Sequence, residues 1–228
     1  MAYIPFMKLP SEVPVMTLPH ATLFPQALLP LYIFEPRYRQ MLVDSLNTNR
    51  MFSVAMKKPG QSREIPSPVA GLGLIRVSVG HQDGTSHLIL QGIARVELVE
   101  TVRYKPYRIQ RIRPLESPPC NDVVVDALLA KVRELLEERV RLGMSFPFPA
   151  APKKSADQTS SALSPKDVLE YLDKLSDPEQ VADLVSCAVL TGPVERQAIL
   201  ATVNLESRLR RLIHFLMAEI TRHRNDKG

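Results

Sequence analysis

The stretch that decides the fold is residues 23–41, LFPQALLPLYIFEPRYRQM. Its first part places apolar residues at strand spacing, and Pro25 and Pro30 fix the path of the backbone there because the proline ring restricts φ. Its second part opens a helix that we predict over residues 35–46, since apolar side chains recur there at helical spacing and Pro36 is tolerated in a first turn. The stretch therefore predicts an extended segment that leads directly into a helix.

Further strands surround this segment in the first half of the chain. Five short runs are rich in β-branched residues and bounded by Gly, Pro or Asp-Gly, namely residues 13–18, 51–56, 72–79, 88–99 and 104–115. The Asp83-Gly84 pair favours a hairpin turn, because Gly accepts the positive φ that tight hairpins need. Of the 20 prolines, 14 precede Cys120, which disfavours long helices in that half. Residues 1–119 are therefore predicted to form a closed or nearly closed β-barrel of about six strands with one helix.

The second half, residues 120–228, has the pattern of a helical bundle. An apolar stripe at three- and four-residue intervals predicts a helix over 122–142, and two further helices are predicted to begin at Ser164-Pro165 and Asp177-Pro178. A last helix carries one apolar face, with its arginines at 208, 210 and 211 expected outside. Residues 143–164 are rich in Pro, Ser and Ala without periodicity, so we predict a flexible insertion there. The fold class is thus expected to be α+β.

Composition excludes several classes of protein. The chain is 45% apolar and 23% charged, which is typical of a soluble globular protein rather than a disordered one. Its two cysteines are too few for a disulfide framework, and the N-terminus lacks the apolar region of a secretory signal. No apolar stretch approaches the ~20 residues of a membrane span. We therefore expect a cytoplasmic protein that does not enter a membrane.

The sequence shows no catalytic constellation. The only close glycine pair, Gly71 and Gly73, precedes a strand pattern instead of the helix that a phosphate loop requires. Of the five histidines, only His81 and His87 could meet, across the Asp83-Gly84 turn, and a metal site there would lack a third ligand. Cys187 lies in an apolar helix, where an inert buried thiol is expected. We predict no enzyme activity, no cofactor and no metal.

A set of short motifs resembles one known family in order along the chain. The opening Leu23-Phe24-Pro25, Leu29-Pro30-Leu31 and Ile33-Phe34-Glu35 with Arg37-Tyr38 are followed by Gly71-Leu72-Gly73, Leu90-Gln91-Gly92 with Arg95, Asp177-Pro178 with Ala182-Asp183, and Leu205-Glu206-Ser207-Arg208-Leu209. These motifs resemble the Lon protease N-terminal (substrate-binding) domain family over nearly the whole chain. No single motif is strong, and their ordered recurrence carries the assignment.

The resemblance implies a PUA-like β-barrel followed by a helical bundle, in agreement with the composition of the two halves. In Lon proteases this domain helps to recognise polypeptide, whereas separate AAA+ and Ser-Lys protease domains hydrolyse ATP and cut the chain. Because the sequence has no GxxxxGK[ST] motif and no room for a protease domain, the resemblance implies a stand-alone, non-catalytic recognition protein. Its expected partners are unfolded or exposed polypeptide segments and a protease or chaperone.

Candidate site residues follow from the opening motif. The apolar side chains that could line a peptide groove are Leu23, Phe24, Leu29, Leu31, Phe34 and Tyr38. The competing interpretation, which we favour for most of them, is that they are barrel core. Pro25 and Pro30 are expected to shape the chain path, and Glu35 and Arg37 to form a structural ion pair.

The main alternative is a nucleic-acid-binding face on residues 103–113. Basic side chains alternate with tyrosines there, at Arg103, Tyr104, Lys105, Tyr107, Arg108, Arg111 and Arg113. Guanidinium groups neutralise phosphates and tyrosines stack on unpaired bases, so this pattern would suit single-stranded RNA. Residues 1–119 carry 14 Lys and Arg against 8 Asp and Glu, which is a modest excess for a nucleic-acid binder. The same charges could instead dock an acidic partner, and a hydrolase or protease with an unrecognised site is a third alternative.

Overall fold

The computed structural model describes residues 8–144, 170–172 and 174–226. The strands are β1 (Glu12–Leu18), β2 (Leu28–Ile33), β3 (Met51–Met56), β4 (Val69–Gly80), β5 (Ser86–Arg103) and β6 (Arg108–Pro114). The helices with defined bounds are α1 (Pro36–Leu46), α2 (Asp122–Arg141), α3 (Pro178–Val189), α4 (Pro193–Leu200) and α5 (Leu205–Asn225). All six strands thus precede α2, with α1 inserted between β2 and β3.

The strands form one sheet that closes on itself. Their order is β2-β5-β4-β3-β1-β6, and β5 also pairs with β6. This closure is possible because β5 is 18 residues long, so that its first part pairs with β2 and its second part with β6. β2 is therefore an added strand beside the closed part of the sheet. The predicted α+β class is confirmed.

The strand predictions differ from the structure mainly at their ends. The prediction for residues 51–56 coincides with β3, whereas β4 and β5 extend beyond residues 72–79 and 88–99 because each pairs along its full length with its neighbours. The prediction for 104–115 begins too early, since residues 104–107 connect β5 to β6. The hairpin at Asp83-Gly84 is present: Gly84 has a φ of +79°, and the His81 N–H donates to the Thr85 carbonyl over 2.8 Å.

The segment between β1 and β2 crosses the sheet over two glycines. A Cβ atom on Gly71 would lie 1.9 Å from the Leu23 carbonyl oxygen, and one on Gly92 would lie 2.0 Å from that of Phe24. Two backbone hydrogen bonds tie the crossing segment to the second glycine, from the Gln26 N–H to the Gly92 carbonyl and from the Gly92 N–H to the Ala27 carbonyl, each 2.9 Å long. Only glycine fits this approach of one backbone to another.

The helices begin where their cap residues predict. The side chains of Asn121, Asp177 and Asn204 accept hydrogen bonds from the first-turn N–H groups of α2, α3 and α5. A short helix, α4, begins directly after Gly192 and was not predicted, because its eight residues carry too short a pattern. Most of the predicted insertion at 143–164 and the helix start at Ser164-Pro165 lie outside the described residues. No helix among the described residues is long and apolar enough to cross a membrane.

The helices and the sheet share one core cluster. Phe24 and Ala27 of the crossing segment are buried together with apolar side chains of α2, α3, α4 and α5. The Gln197 side-chain amide of α4 donates to the Val69 carbonyl of β4 over 2.9 Å. The sheet and the helices are therefore joined by packing and by a direct hydrogen bond.

A buried ionic cluster lies at the same junction. Arg95 of β5 pairs with Asp183 of α3, and Arg208 of α5 lies 3.2 Å from the same carboxylate oxygen. Exposed fractions of these side chains are 4%, 2% and 0%. Burial raises the pKa of the Asp183 carboxyl, and the two guanidinium groups oppose that shift. The prediction that Arg208 lies outside the bundle is wrong: helical spacing places it beside the apolar face, and the carboxylate draws it inside.

Candidate functional site

The outward side of β2 is apolar although it faces solvent. Leu28, Pro30 and Tyr32 alternate along the strand with side chains that point inward, and the outward ones are exposed. Phe34, just after the strand, is 58% exposed, and its ring stacks on that of Tyr32 with centroids 5.8 Å apart. An outward strand face in water normally carries polar residues, so this one is unusual.

Two neighbouring strands continue the apolar surface. Tyr32 lies opposite His87 of β5, which lies opposite Val79 of β4. One step along the strands, Pro30 lies opposite Ile89, which lies opposite Val77. Together these side chains line a shallow groove of about 420 Å³, here called the outer groove: Pro30, Tyr32, Val77, Val79, His87 and Ile89.

The exposure of this surface is what marks it as a candidate site. Tyr32, Val77 and Val79 are each about half exposed, and Ile89 is 37% exposed. Single exposed apolar residues are common on proteins, but a contiguous apolar patch on three paired strands is typical of an interaction surface. Because the groove is open and almost lacks polar groups, it suits apolar side chains of a ligand rather than a charged small molecule.

One end of the outer groove carries two histidines in direct contact. The Nε2 atom of His81 lies 2.7 Å from the Nδ1 atom of His87, and the two rings meet edge to face. On its other side the His87 ring packs against Tyr32, with centroids 4.7 Å apart. The two histidines therefore make contact across the hairpin turn, as the sequence suggested that they could.

Few charged groups surround this end of the groove. The Arg39 guanidinium of α1 packs against Gly84 in the turn, and Asp83 accepts hydrogen bonds from the Thr85 N–H and hydroxyl at 2.9 and 2.7 Å. These bonds lower the pKa of the Asp83 carboxyl. At the other end, Arg76 donates to the Gln91 side chain over 2.5 Å. The groove itself therefore has charged groups only at its rim.

The predicted peptide-binding residues separate into three groups. Leu23, Phe24 and Tyr38 are buried and do not reach a ligand in the conformation described: Leu23 and Tyr38 pack in a core cluster of the sheet and α1, and Phe24 packs in the cluster shared with the helices. Leu29 and Leu31 are partly buried and point mainly into the core, although Leu31 also borders the outer groove. Phe34 is exposed beside Tyr32, as peptide contact would require.

The structural motif residues take the places expected of them. Arg37 pairs with Glu35 at 2.9 Å and also with Glu64 at 2.8 Å, a partner that sequence spacing could not indicate. The guanidinium lies over the Tyr38 ring, 4.4 Å from its centroid. Pro25 lies in the crossing segment, and Pro30 lies within β2.

Several residues of the outer groove were not predicted as site residues from the sequence. Val77, Val79 and Ile89 lie in runs that were correctly interpreted as strands, but their exposed side was not identified. Simple alternation in residues 72–79, LGLIRVSV, would place Val77 and Val79 on the same side as the buried Ile75, and the register shift between Ile75 and Val77 is what turns them outward. In a strand with one solvated face, exposed apolar residues of this kind indicate a candidate interaction surface.

Two of the five cations on the predicted nucleic-acid face pair with carboxylates. Arg113 donates to Glu97 over 2.9 Å, and Arg111 pairs with both Glu12 and Glu100. Tyr107 is buried, with its hydroxyl 2.5 Å from Asp44, and the Arg103 guanidinium lies over the Tyr107 ring. Arg108 donates to the Glu64 carbonyl and lies over the Tyr104 ring. Lys105 and Tyr104 are exposed. The pairing of Arg111 and Arg113 with carboxylates, and the burial of Tyr107, do not favour RNA binding.

No catalytic or metal site emerges among the described residues. In residues 8–144, 170–172 and 174–226, no group of three or more His, Cys, Asp or Glu is arranged to hold a metal ion. Burial raises the pKa of the Cys187 thiol, which opposes formation of a nucleophilic thiolate. A second, smaller groove of about 280 Å³ lies between the sheet and α4, lined in part by His20, Lys57 and Val194.

Comparisons with known proteins agree with this architecture. The model of the ATP-dependent protease La (LON) substrate-binding domain matches residues 12–218. A Lon protease of Desulfosudis oleivorans is 24% identical over 210 residues, which cover 90% of this chain and 24% of that protein. A Lon protease of Dictyoglomus thermophilum is 20% identical over 215 residues, covering 93% of this chain and 25% of that protein. The chain thus spans about a quarter of the length of these curated relatives.

Solved structures show the same fold. The N-terminal domain of Mycobacterium avium complex Lon protease superposes with a TM-score of 0.68 at 17% identity, covering 90% of this chain and 98% of that one. The Lon N-terminal domain protein from Xanthomonas campestris gives a TM-score of 0.56 at 18% identity, with 89% and 97% covered. Since the family model matches all but the ends of the chain, the resemblance seen in its motifs is confirmed. The chain belongs to the family of the ATP-dependent protease La (LON) substrate-binding domain.

Proposed function

We propose that this chain binds exposed apolar segments of unfolded polypeptides at the outer groove and does not itself cut them. The observation that carries the proposal is the contiguous apolar surface on β2, β5 and β4. A shallow open groove binds through apolar contact without demanding one sequence, which suits a protein that recognises many unfolded chains. Family membership supports a role in substrate recognition.

The proposal assigns different tasks to the two halves of the chain. Recognition lies in the barrel part, residues 1–119, and the helical part, residues 120–228, holds β4 and β5 in place through Gln197 and the Arg95–Asp183 pair. Holding an unfolded segment is useful to a protease or chaperone, which is the class of partner we expect. In this proposal, polypeptide binding takes place in the cytoplasm and needs no cofactor.

Binding of a labelled unfolded peptide rich in leucine and valine, measured by fluorescence anisotropy, tests the proposal. Val77→Asp places a charge in the outer groove and is expected to weaken binding at least about tenfold, since a charge there opposes burial of apolar side chains. Val99→Asp is the matched control, because Val99 is also on an exposed strand position, 55% against 49% exposed, but lies on the distant half of β5.

Two results would contradict the proposal. One is the absence of saturable peptide binding by the unaltered protein. The other is equal weakening of peptide binding by Val77→Asp and Val99→Asp in variants whose circular dichroism matches the parent.

The RNA-binding alternative is tested with single-stranded RNA across a salt series, and we expect no binding that weakens steeply with salt. The hydrolase alternative is tested by turnover of casein, with and without ATP, and none is expected.

A further inference from the structure

The two histidines at the end of the outer groove have a geometry that responds to protons. The contacting atoms, Nε2 of His81 and Nδ1 of His87, are 2.7 Å apart, a distance that requires one nitrogen to donate and the other to accept. This arrangement exists with no added proton or with one. When both rings are protonated, every ring nitrogen is a donor, so the contact becomes a repulsion between two like charges.

The contact bears directly on the groove. His87 is one of its lining residues, with its ring packed against Tyr32 on one side and His81 on the other. Val79 lies opposite it on β4. A charge on His87 would therefore sit in the surface that apolar side chains of a ligand must cover, and the loss of the His81 contact would free the ring from its stacked position.

Three other ionisable groups among the described residues lie around the pair. Asp83 in the turn and Arg39 of α1 are the charged side chains at this end of the groove, and Tyr32 is the titratable group contributed by β2. Both charged groups belong to or contact the turn that follows His81, whereas the His87 ring packs against Tyr32. A second proton must then enter beside an existing charge, next to an aromatic ring and two valines.

We propose that the His81–His87 pair makes binding at the outer groove pH-dependent, with apolar segments held when the pair carries at most one proton and released when it carries two. This inference rests on the proposed function, because it concerns the same groove. Histidine is the side chain whose unperturbed charge change falls between about pH 5 and 8, so acidification over that range is the condition under which the effect is sought.

The test is isothermal titration calorimetry of the full chain with a short peptide of alternating valine and serine, acetylated and amidated so that it has no titratable group. Between about pH 8 and pH 5 we expect the affinity of the unaltered protein to fall about tenfold. His87→Gln is expected to bind with nearly constant affinity over this range, and His81→Gln to show a smaller fall than the parent. His20→Gln, which alters an exposed histidine away from the outer groove, should retain the parent's profile.

The outcomes separate this inference from the proposed function. Saturable binding at pH 8 that is unchanged at pH 5 overturns the inference and leaves the proposed function standing. The same holds if His87→Gln and the parent lose affinity in parallel. Absence of binding at every pH overturns the proposed function itself. Nuclear magnetic resonance of the unaltered protein gives an independent reading, because the ring signals of Tyr32 must shift together with the second protonation of the pair.

Discussion

Gly71 and Gly92 show how single residues set the path of the opening segment. Each lacks a side chain at the place where the Leu23–Phe24 backbone crosses the sheet, and a Cβ at either position would overlap a carbonyl oxygen. Backbone cannot move aside as the end of a flexible side chain can, because it is tied by the hydrogen bonds of Gln26 and Ala27. These glycines are therefore required by contact rather than by an unusual φ.

Gly71→Ala is expected to destabilise the protein by about 3 kcal/mol, the cost of forcing an extra carbon into a filled space. Gly80→Ala is the control on the same strand, because its added carbon would meet only the Ser86 hydroxyl at 3.9 Å. We expect that control to change the free energy of unfolding by less than about 0.5 kcal/mol. Urea denaturation measures both, and equal effects of the two variants would refute the close approach at Gly71.

Among the elements, α1 is the one whose attachment depends on a few polar contacts. The Tyr38 hydroxyl accepts a hydrogen bond from the Thr17 N–H over 3.2 Å and donates to the Thr17 carbonyl over 3.3 Å. At the other side of the helix, the Tyr107 hydroxyl donates to Asp44 and lowers the pKa of that carboxyl. Tyr38 thus supplies hydrogen-bond partners to the backbone of Thr17, which lies beyond the part of β1 that pairs with β6.

Tyr38→Phe is expected to cost about 2 kcal/mol, because it leaves the buried Thr17 N–H without its partner. Burial raises the pKa of Tyr38 to about 12, against about 10 in an unfolded chain. The folded state therefore holds its proton longer, and the associated stability is present below about pH 10 and is lost as the pH rises towards 12. Urea denaturation between those values should show a steeper loss for the parent than for Tyr38→Phe, and parallel curves would contradict this account.

At the scale of the whole molecule, the buried cluster of Arg95, Asp183 and Arg208 connects one strand to two helices. The buried Asp183 carboxylate faces both guanidinium groups, and the more exposed Glu179 lies 3.8 Å from Arg208. Further hydrogen bonds, from Arg95 to the Leu200 carbonyl and from Arg208 to the Ser117 hydroxyl, satisfy donors that remain. Such a cluster tolerates the loss of a member poorly, since the remaining charges stay buried.

Asp183→Asn is accordingly expected to destabilise the protein by about 4 kcal/mol, because two buried guanidinium groups then lose the carboxylate that they share, and only the partly exposed Glu179 remains, 3.8 Å from Arg208. Glu97→Gln is the control: it removes the partner of Arg113, whose side chain is 70% exposed, and should cost less than about 1 kcal/mol. Thermal unfolding at neutral pH compares the two variants. A cost for Asp183→Asn no larger than that for Glu97→Gln would mean that the cluster does not stabilise the junction.

Some of this architecture could be predicted from sequence and some could not, for identifiable reasons. β3 and the start of α2 were predictable because apolar periodicity and an Asn cap are local signals. The pairing of Arg37 with Glu64 and the burial of Arg208 depend on residues distant in the chain, and local patterns do not show them.

The predicted site residues and the outer groove share one stretch of sequence but differ in most of their side chains. Apolar residues in 23–34 were expected either to contact a ligand or to form the core, and alternation along β2 divides them between both roles. Tyr32 faces out and Ile33 faces in, so a shift of one residue decides which is available. The contributions of β4 and β5 to the outer groove required the strand register, which no single run of sequence contains.

The length of β5 has a mechanical consequence. The same strand carries Ile89 in the outer groove and, six residues further on, Arg95 in the buried cluster, a separation of about 20 Å along the strand. Consider a pulling force applied at Ile89 and directed along β5. This strand is hydrogen-bonded to β2, β4 and β6 and is joined to α3 near its middle. A force along β5 would thus act as shear on three strand pairings and would not separate one hairpin, so the outer groove is expected to keep its shape.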